Sequence, residues 1–229
     1  MKKYTHSVLI IDDHPLISEA YKNALNIIEI ESESAEISFG IETANNCDTA
    51  FAKIKESAKK RVPFDLIFLD IKLPPSKEGK IRSGEDLGIR IKSLLPNSKI
   101  IISTTFNDNY RIHSIFQSLS PDGFLIKNDI NPQELITAIK AVISNSPYYS
   151  ITVVKMLKKE VSNDLLIDKV DRALLYELSI GTKTKSLPNI IPLSIAGIEK
   201  RKRHLKELFD ITKQDDKTLI SVAREKGFV

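Results

Sequence analysis

The sequence predicts a doubly wound α/β domain built on a five-stranded parallel sheet, followed by a small all-α domain. Three observations carry this. Over the first 145 residues, short apolar runs alternate with segments of helical periodicity, the pattern of a parallel sheet covered on both faces. From Asp168 onward the periodicity is helical only. Charge divides in the same place: residues 1–150 carry 18 Lys and Arg against 19 Asp and Glu, and residues 151–229 carry 16 against 11, so the net charge of +4 joins a near-neutral part to a basic one.

The elements follow in order. Val8 to Ile11 is a continuous apolar run that ends in Asp12-Asp13, and His14-Pro15 opens a helix with Leu16, Ile17, Ala20, Ala24, Leu25 and Ile28 at apolar positions. Proline suits a first helical turn, where its missing N–H has no intrahelical partner. Ile37 to Ala44 reads as the second strand and residues 48–60 as a helix with a polar face. Leu66 to Leu69 is the third strand and ends at Asp70; a Pro/Gly/Lys loop over 74–83 leads to a helix over 85–95. Lys99 to Thr104 is the fourth strand, followed by a helix over 108–118. Gly123 to Ile126 is the fifth and closes on Lys127, and Asn131-Pro132 opens a helix with Leu135, Ile136, Ile139 and Val142 on one face. Residues 146–163 mix turn formers with charge and read as a linker between a domain at 1–145 and one at 164–229.

Composition excludes several classes. No apolar run approaches the roughly 18 residues needed to cross a bilayer. The start, MKKYTHSVLIIDDHP, makes a poor signal peptide because its apolar stretch is short and runs into two aspartates. The single cysteine, Cys47, excludes a disulfide framework or a multi-cysteine zinc site and suits a reducing cytoplasm.

In open parallel sheets the ligand site lies beyond the carboxyl ends of the strands. Those ends are Asp12-Asp13, Asp70, Thr104 and Lys127. Carboxylates converging on one edge repel each other unless a cation sits among them, and Asp12, Asp13 and Asp70 are hard oxygen ligands of the kind Mg²⁺ takes. A lysine and a threonine hydroxyl supply donors for phosphoryl oxygens. An aspartate beside Mg²⁺ can itself become an acyl phosphate. The plainer reading makes the acids helix caps and Lys127 a surface lysine, but it has to explain all four strand ends at once.

On VLIIDDHP, DLIFLDIKLP, IIISTTF and DGFLIK, residues 6–145 resemble a response-regulator receiver domain, which implies a flavodoxin-like fold. The resemblance implies that Asp70 accepts a phosphoryl group from a sensor histidine kinase, that Asp12, Asp13, Asp70 and the Lys72 carbonyl hold Mg²⁺, and that Thr104 and Lys127 sense the phosphate. Phe124 takes the aromatic switch position. Two departures stand out. Gly84 lies fourteen residues after Asp70, where the family has a glycine about eight on; the extra loop carries Lys77, Lys80 and Arg82 against Glu78, either as a solvated loop or as a device for choosing the kinase. The spacing from Thr104 to Lys127 is also slightly long, which leaves Ser103 and Thr105 as other candidates for the sensing hydroxyl.

In the basic part, Val170, Leu174, Leu175 and Leu178 form a helical stripe that ends at Gly181. After Pro188, Ser194 is an N-cap for a helix to Phe209, and a last helix covers 215–226. Lys200, Arg201, Lys202, Arg203 and Lys206 place five cations within seven positions, a surface that gains by releasing counterions from DNA. A solvated face or a protein-docking helix is the alternative. The segment from Leu165 to Ile211 resembles the LuxR/NarL-type helix-turn-helix. That implies DNA contacts from Glu199, Lys200, Arg201, Arg203 and Lys206, and a homodimer placing two such helices one DNA turn apart. Glu199 either accepts from a cytosine amino group or pairs with Arg203 at i,i+4. Ile167 to Val170 stand where the family has threonine-proline-arginine-glutamate, and Pro188 shortens the positioning helix unless it lies in its first turn.

The sequence therefore reads as a two-component response regulator and transcription factor binding double-stranded DNA, not an enzyme. One alternative is a phosphorylation-independent regulator whose basic helix docks on a protein. Another is an aspartyl-phosphate phosphatase, which needs a second acid two residues after its nucleophile, where this chain has Lys72.

Overall fold

The structure, a computed structural model, describes residues 4–32, 37–105, 109–161, 167–225 and 228–229. It divides into two compact units, residues 1–106 with 115–153 and residues 107–114 with 154–229.

In the first unit, β1 (Tyr4–Ile11), β2 (Ile37–Ala44), β3 (Leu66–Asp70), β4 (Lys99–Thr104) and β5 (Gly123–Ile126) pair in parallel in the order β2-β1-β3-β4-β5. Alternation along each strand sends Val8, Ile10, Leu66, Phe68, Ile101 and Leu125 to one face. There they pack against Tyr21, Ala24, Leu25 and Ile28 of α1 (Pro15–Glu31) and Leu135, Ile136 and Ile139 of α5 (Pro132–Ile143). The opposite set, including Leu9, Ile67, Leu69 and Ile102, is equally buried, which is why these strands read as unbroken apolar runs. That face is covered by α2 (Cys47–Lys60) and α3 (Gly84–Leu94), and α4 is Asn109–Leu119. Gly88 of α3 lies so close to Leu69 and Leu119 that a methyl group there would meet their side chains at 3.0 and 2.8 Å.

Side chains cap the helices where the sequence offers them. Asn46 accepts from the Thr49 N–H, Ser83 from Asp86 and Asn131 from Glu134. At the far end of α5, the Lys99 ammonium donates to the carbonyls of Val142 and Ile143, both at 2.8 Å, satisfying acceptors that a helix end leaves open.

The sheet has a sixth strand that the sequence did not announce. Tyr148–Tyr149, β6, pairs in parallel with Gly123 and Phe124, held by the Tyr148 N–H on Asp122 O and the Ser150 N–H on Phe124 O. Residues Ile151–Val161 form α6, so the segment expected as a linker is largely ordered secondary structure.

The second unit contains α7 (Lys169–Ser179), a 3-10 turn over Thr184–Asn189, α8 (Ile195–Leu208) and α9 (Asp216–Glu225). Its core joins Leu174, Leu175, Leu187, Ile198, Leu205, Leu219 and Phe228. Asp168 and Asp171 form a capping box at the start of α7, so the departure at 167–170 still opens a helix. Gly181, at φ +88°, turns the chain just past α7. Pro188 lies inside the 3-10 turn, whose few hydrogen bonds tolerate a missing N–H, so the positioning segment is a 3-10 turn rather than an α-helix. Among the described residues no helix is long and apolar enough to cross a membrane.

Candidate functional sites

The register of the sheet assembles the first site. Ile11 is level with Leu69, and Asp70 with Ser103, so the residues that follow or end β1 and β3, Asp12 and Asp70, come out side by side. Both are buried, at 3% and 2% exposure. Lys127, just past β5, bridges them: its ammonium is 2.8 Å from Asp12 Oδ2 and 2.6 Å from Asp70 Oδ2. The second oxygen of each aspartate is fixed by backbone, Asp12 Oδ1 by the His14 N–H and Asp70 Oδ1 by the Lys72 N–H, each at 2.9 Å. These bonds hold the carboxylates pointing out of the strand ends.

Burial pushes the Asp12 carboxyl above its ordinary value, and the Asp70 charge adds to that against the bonds from Lys127 and His14. Burial alone would pull the Lys127 ammonium down, but its bonds to Asp12 and Asp70, with their charges, outweigh burial and hold it above an ordinary lysine. Asp13 and His14 join the rim, with His14 Nδ1 2.6 Å from Asp13 Oδ1. Ligand atoms of Asp12, Asp13, His14 and Asp70 all lie within 4.8 Å of one another. Among the described residues, Asp12 Oδ2 and Asp13 Oδ1 are shut off from solvent without a hydrogen bond of good geometry, the first facing the Lys127 ammonium and the second the His14 imidazole. Such a donor set, rich in hard oxygens, fits a small divalent cation such as Mg²⁺. His14 was absent from the ligands expected from sequence, because its place at the helix start accounted for it fully.

The long loop after β3 does not disturb this edge. Ile71 and Leu73 are buried, and the loop folds back on itself: the Ser76 N–H donates to Ile81 O at 2.8 Å, and the Ile81 N–H returns to Ser76 Oγ at 3.0 Å. Lys77 donates its N–H to Asp48 Oδ2, and the Arg90 guanidinium holds Lys80 O, tying the loop to α2 and α3. Gly84 then packs on the Asp70 backbone.

On the second unit, α8 presents its cations unequally. Arg201 is committed to α7, with Nη1 2.7 Å from Asp168 Oδ2 and 2.8 Å from Asp171 Oδ1. Lys202 is 6% exposed and lies between Glu199 (3.0 Å) and Asp216 (2.6 Å), and Lys206 also reaches Asp216 at 2.8 Å. Glu199 thus pairs with Lys202, not with Arg203 as its i,i+4 spacing suggested. Lys200 and Arg203 are exposed, and among the described residues neither is drawn into an ion pair.

Comparison with known proteins decides the family. A model described as the response regulator receiver domain matches residues 8–140. The chain belongs to the response-regulator family. It is 25% identical over 207 residues to the nitrate/nitrite response regulator protein NarP of Escherichia coli (strain K12), covering 86% of each chain. It is 28% identical over 162 residues to the uncharacterized transcriptional regulatory protein YxjL of Bacillus subtilis (strain 168), covering 69% of this chain and 64% of that one. Its fold matches that of RcsB in a structure of the RcsB–DNA complex, with a TM-score of 0.62 at 19% identity over 96% of this chain and 98% of the other.

Within the response regulator, strand alternation separates the hydroxyl candidates. Ser103 is level with Asp70 and shares its face, whereas Thr104, level with Ile126, is on the other face and fully buried. What Thr104 contributes to Lys127 is its carbonyl, which accepts the Lys127 N–H at 2.8 Å. Thr105, the next residue, is exposed at the strand end. Phe124 is fully buried and level with Ile102, on the face opposite Asp70.

Proposed function

We propose that this response regulator takes a phosphoryl group onto Asp70 from a sensor histidine kinase and binds double-stranded DNA through α8 to regulate transcription. The observation that carries the reading is the Lys127 bridge between Asp12 and Asp70: a cation held between two buried carboxylates at the open edge of the sheet. Asp12, Asp13, Asp70 and the Lys72 carbonyl would hold Mg²⁺, which supplies charge neutralisation to the incoming phosphoryl oxygens. As the P–N bond to the donor imidazole breaks, an Asp70 oxygen forms the P–O bond, and the Lys127 ammonium follows the new charge. Thr104, which ends β4, is the hydroxyl that would follow that group, with Thr105, exposed just past the strand, as the alternative. Phe124 would respond by repacking, having no hydroxyl to redirect.

The change would bias domain contacts or dimerisation. In α8, Lys200 and Arg203 are the groups free for DNA, with Glu199 beside them; Arg201 and Lys206 serve mainly to hold the unit together. The reading is tested by incubating the chain with acetyl phosphate and Mg²⁺: wild type takes up phosphate and Asp70→Asn does not. Equal labelling of both would remove the first half of the proposal. Absence of duplex DNA binding at low salt would favour a protein-docking role for α8.

A further inference from the structure

Two residues are few for a strand, and in β6 the side chains complete what the backbone begins. Tyr148 Oη donates to Glu134 Oε1 of α5 at 3.3 Å, and the Tyr149 ring meets Phe116 of α4 edge-on, with centroids 5.3 Å apart. Ser150 closes the pairing, its N–H on Phe124 O at 2.9 Å. Had the strand run on, the Ser150 carbonyl would accept the next N–H that β5 turns to this edge, that of Ile126. The chain instead enters α6 at Ile151, and the Ser150 hydroxyl takes the Ile126 N–H at 3.4 Å. The same hydroxyl donates to Asp129 Oδ2 at 3.1 Å. Ser150 is fully buried and Asp129 half-buried, a shielded setting in which each bond counts for more than it would in water.

The two partners of this hydroxyl bracket Lys127, since Ile126 precedes it and Asp129 lies two residues after it. The Asp129 N–H turns back to Ile126 O at 2.9 Å, and the Lys127 N–H is fixed on Thr104 O, so residues 126–129 form one tight loop. A serine one residue before a helix ordinarily caps it. Among the described residues, the side-chain bonds of Ser150 go to this loop instead. We infer that Ser150 is a positioning residue for Lys127: its hydroxyl clamps the loop from which the ammonium reaches Asp12 and Asp70. The segment after α5 thereby becomes a working part of the phosphoryl site. Coupling of this kind runs both ways. A phosphoryl group that draws Lys127 toward Asp70 pulls on the Ser150 bonds, and so on the start of the segment that follows. The inference rests on the reading of Asp70 as phosphoacceptor.

The test uses the full chain with acetyl phosphate and Mg²⁺, comparing wild type with Ser150→Ala, Asp129→Ala and Ser150→Thr, which keeps a hydroxyl. The two alanine variants are each expected to slow labelling of Asp70 about two- to tenfold, the range of one lost hydrogen bond. Ser150→Thr should return the rate to near that of wild type. A second readout needs no variant of the clamp. Hydrogen exchange at the Ile126 amide, followed by NMR, should quicken when beryllofluoride and Mg²⁺ are added to wild type, and should stay unchanged in Asp70→Asn. Labelling of Ser150→Ala at the wild-type rate, together with Ile126 exchange that beryllofluoride does not move, would overturn the inference while leaving the phosphoacceptor reading intact. Labelling of Asp70→Asn at the wild-type rate would overturn the reading beneath it.

Discussion

Gly84 lies against the carbonyl of Asp70 so closely that a methyl group on its Cα would sit 1.9 Å from the Asp70 oxygen. Nothing in that contact can yield, since both partners are backbone. The Gly84 N–H is itself bonded to Ile71 O, which draws the start of α3 onto the end of β3.

Gly84→Ala is therefore expected to displace the Asp70 backbone. Overpacking of this kind costs about 1–3 kcal/mol. The expected result is a lower melting temperature and slower phosphate uptake from acetyl phosphate, whereas Gly79→Ala, in open space but at φ +67°, should leave uptake unchanged. Parallel measurement of melting and labelling checks both.

Removing Lys127 leaves Asp12 and Asp70 buried and facing each other. Truncating one partner of a buried charge cluster costs about 3–5 kcal/mol. Lys127→Ala should therefore melt well below wild type in the absence of divalent ions, and Mg²⁺ should restore more of its stability than it adds to wild type. A thermal shift with and without Mg²⁺ reads the difference; equal shifts would argue against a carboxylate site shared by metal and lysine.

The cations of α8 should separate into two classes. Lys200→Ala with Arg203→Ala should weaken duplex DNA binding and flatten its salt dependence by about two units of slope, with melting unchanged. Arg201→Ala should do the reverse, costing about 1 kcal/mol or more of stability through the capping box it braces. Fluorescence anisotropy against salt and thermal melting distinguish them.

Acid should loosen the second unit through Asp216. Burial opposes its ionisation, but the ammonium groups of Lys202 and Lys206 outweigh burial and hold its carboxyl below the ordinary value. A depressed folded-state value means the contribution is present above the unfolded value, about 4, and is lost as pH falls through the folded one. The melting difference between wild type and Asp216→Asn should thus be full near pH 6 and shrink below about pH 4. A difference that stays constant down to pH 2 would show that the ion cluster contributes nothing that titrates.

How far the sequence could be read depended on the range of the interaction. Strands β1, β3, β4 and β5 were legible because each is an apolar run stopped by Asp, Thr or Lys, and the edge site followed from those stops. Tyr148–Tyr149 was not, because a two-residue edge strand has no periodicity and exists only through its bonds to Asp122 and Phe124. The face on which Thr104 lies depends on pairing with Ile126, which no local pattern reveals. Likewise, Arg201 and Lys202 looked like free cations because the acids that hold them, Asp168, Asp171 and Asp216, are distant along the chain or on another helix.

The closure of the loop after β3 between Ser76 and Ile81 has a consequence for how this chain can vary. Because the two ends meet, what lies between them is anchored to α2 and α3 through Lys77 and Lys80, and its length is uncoupled from the acidic edge. The segment Lys77–Lys80 is thus a place where the protein can be recoded, lengthened or grafted with a foreign epitope while Asp70 and Gly84 keep their contact, giving one copy of a shared scaffold an address of its own.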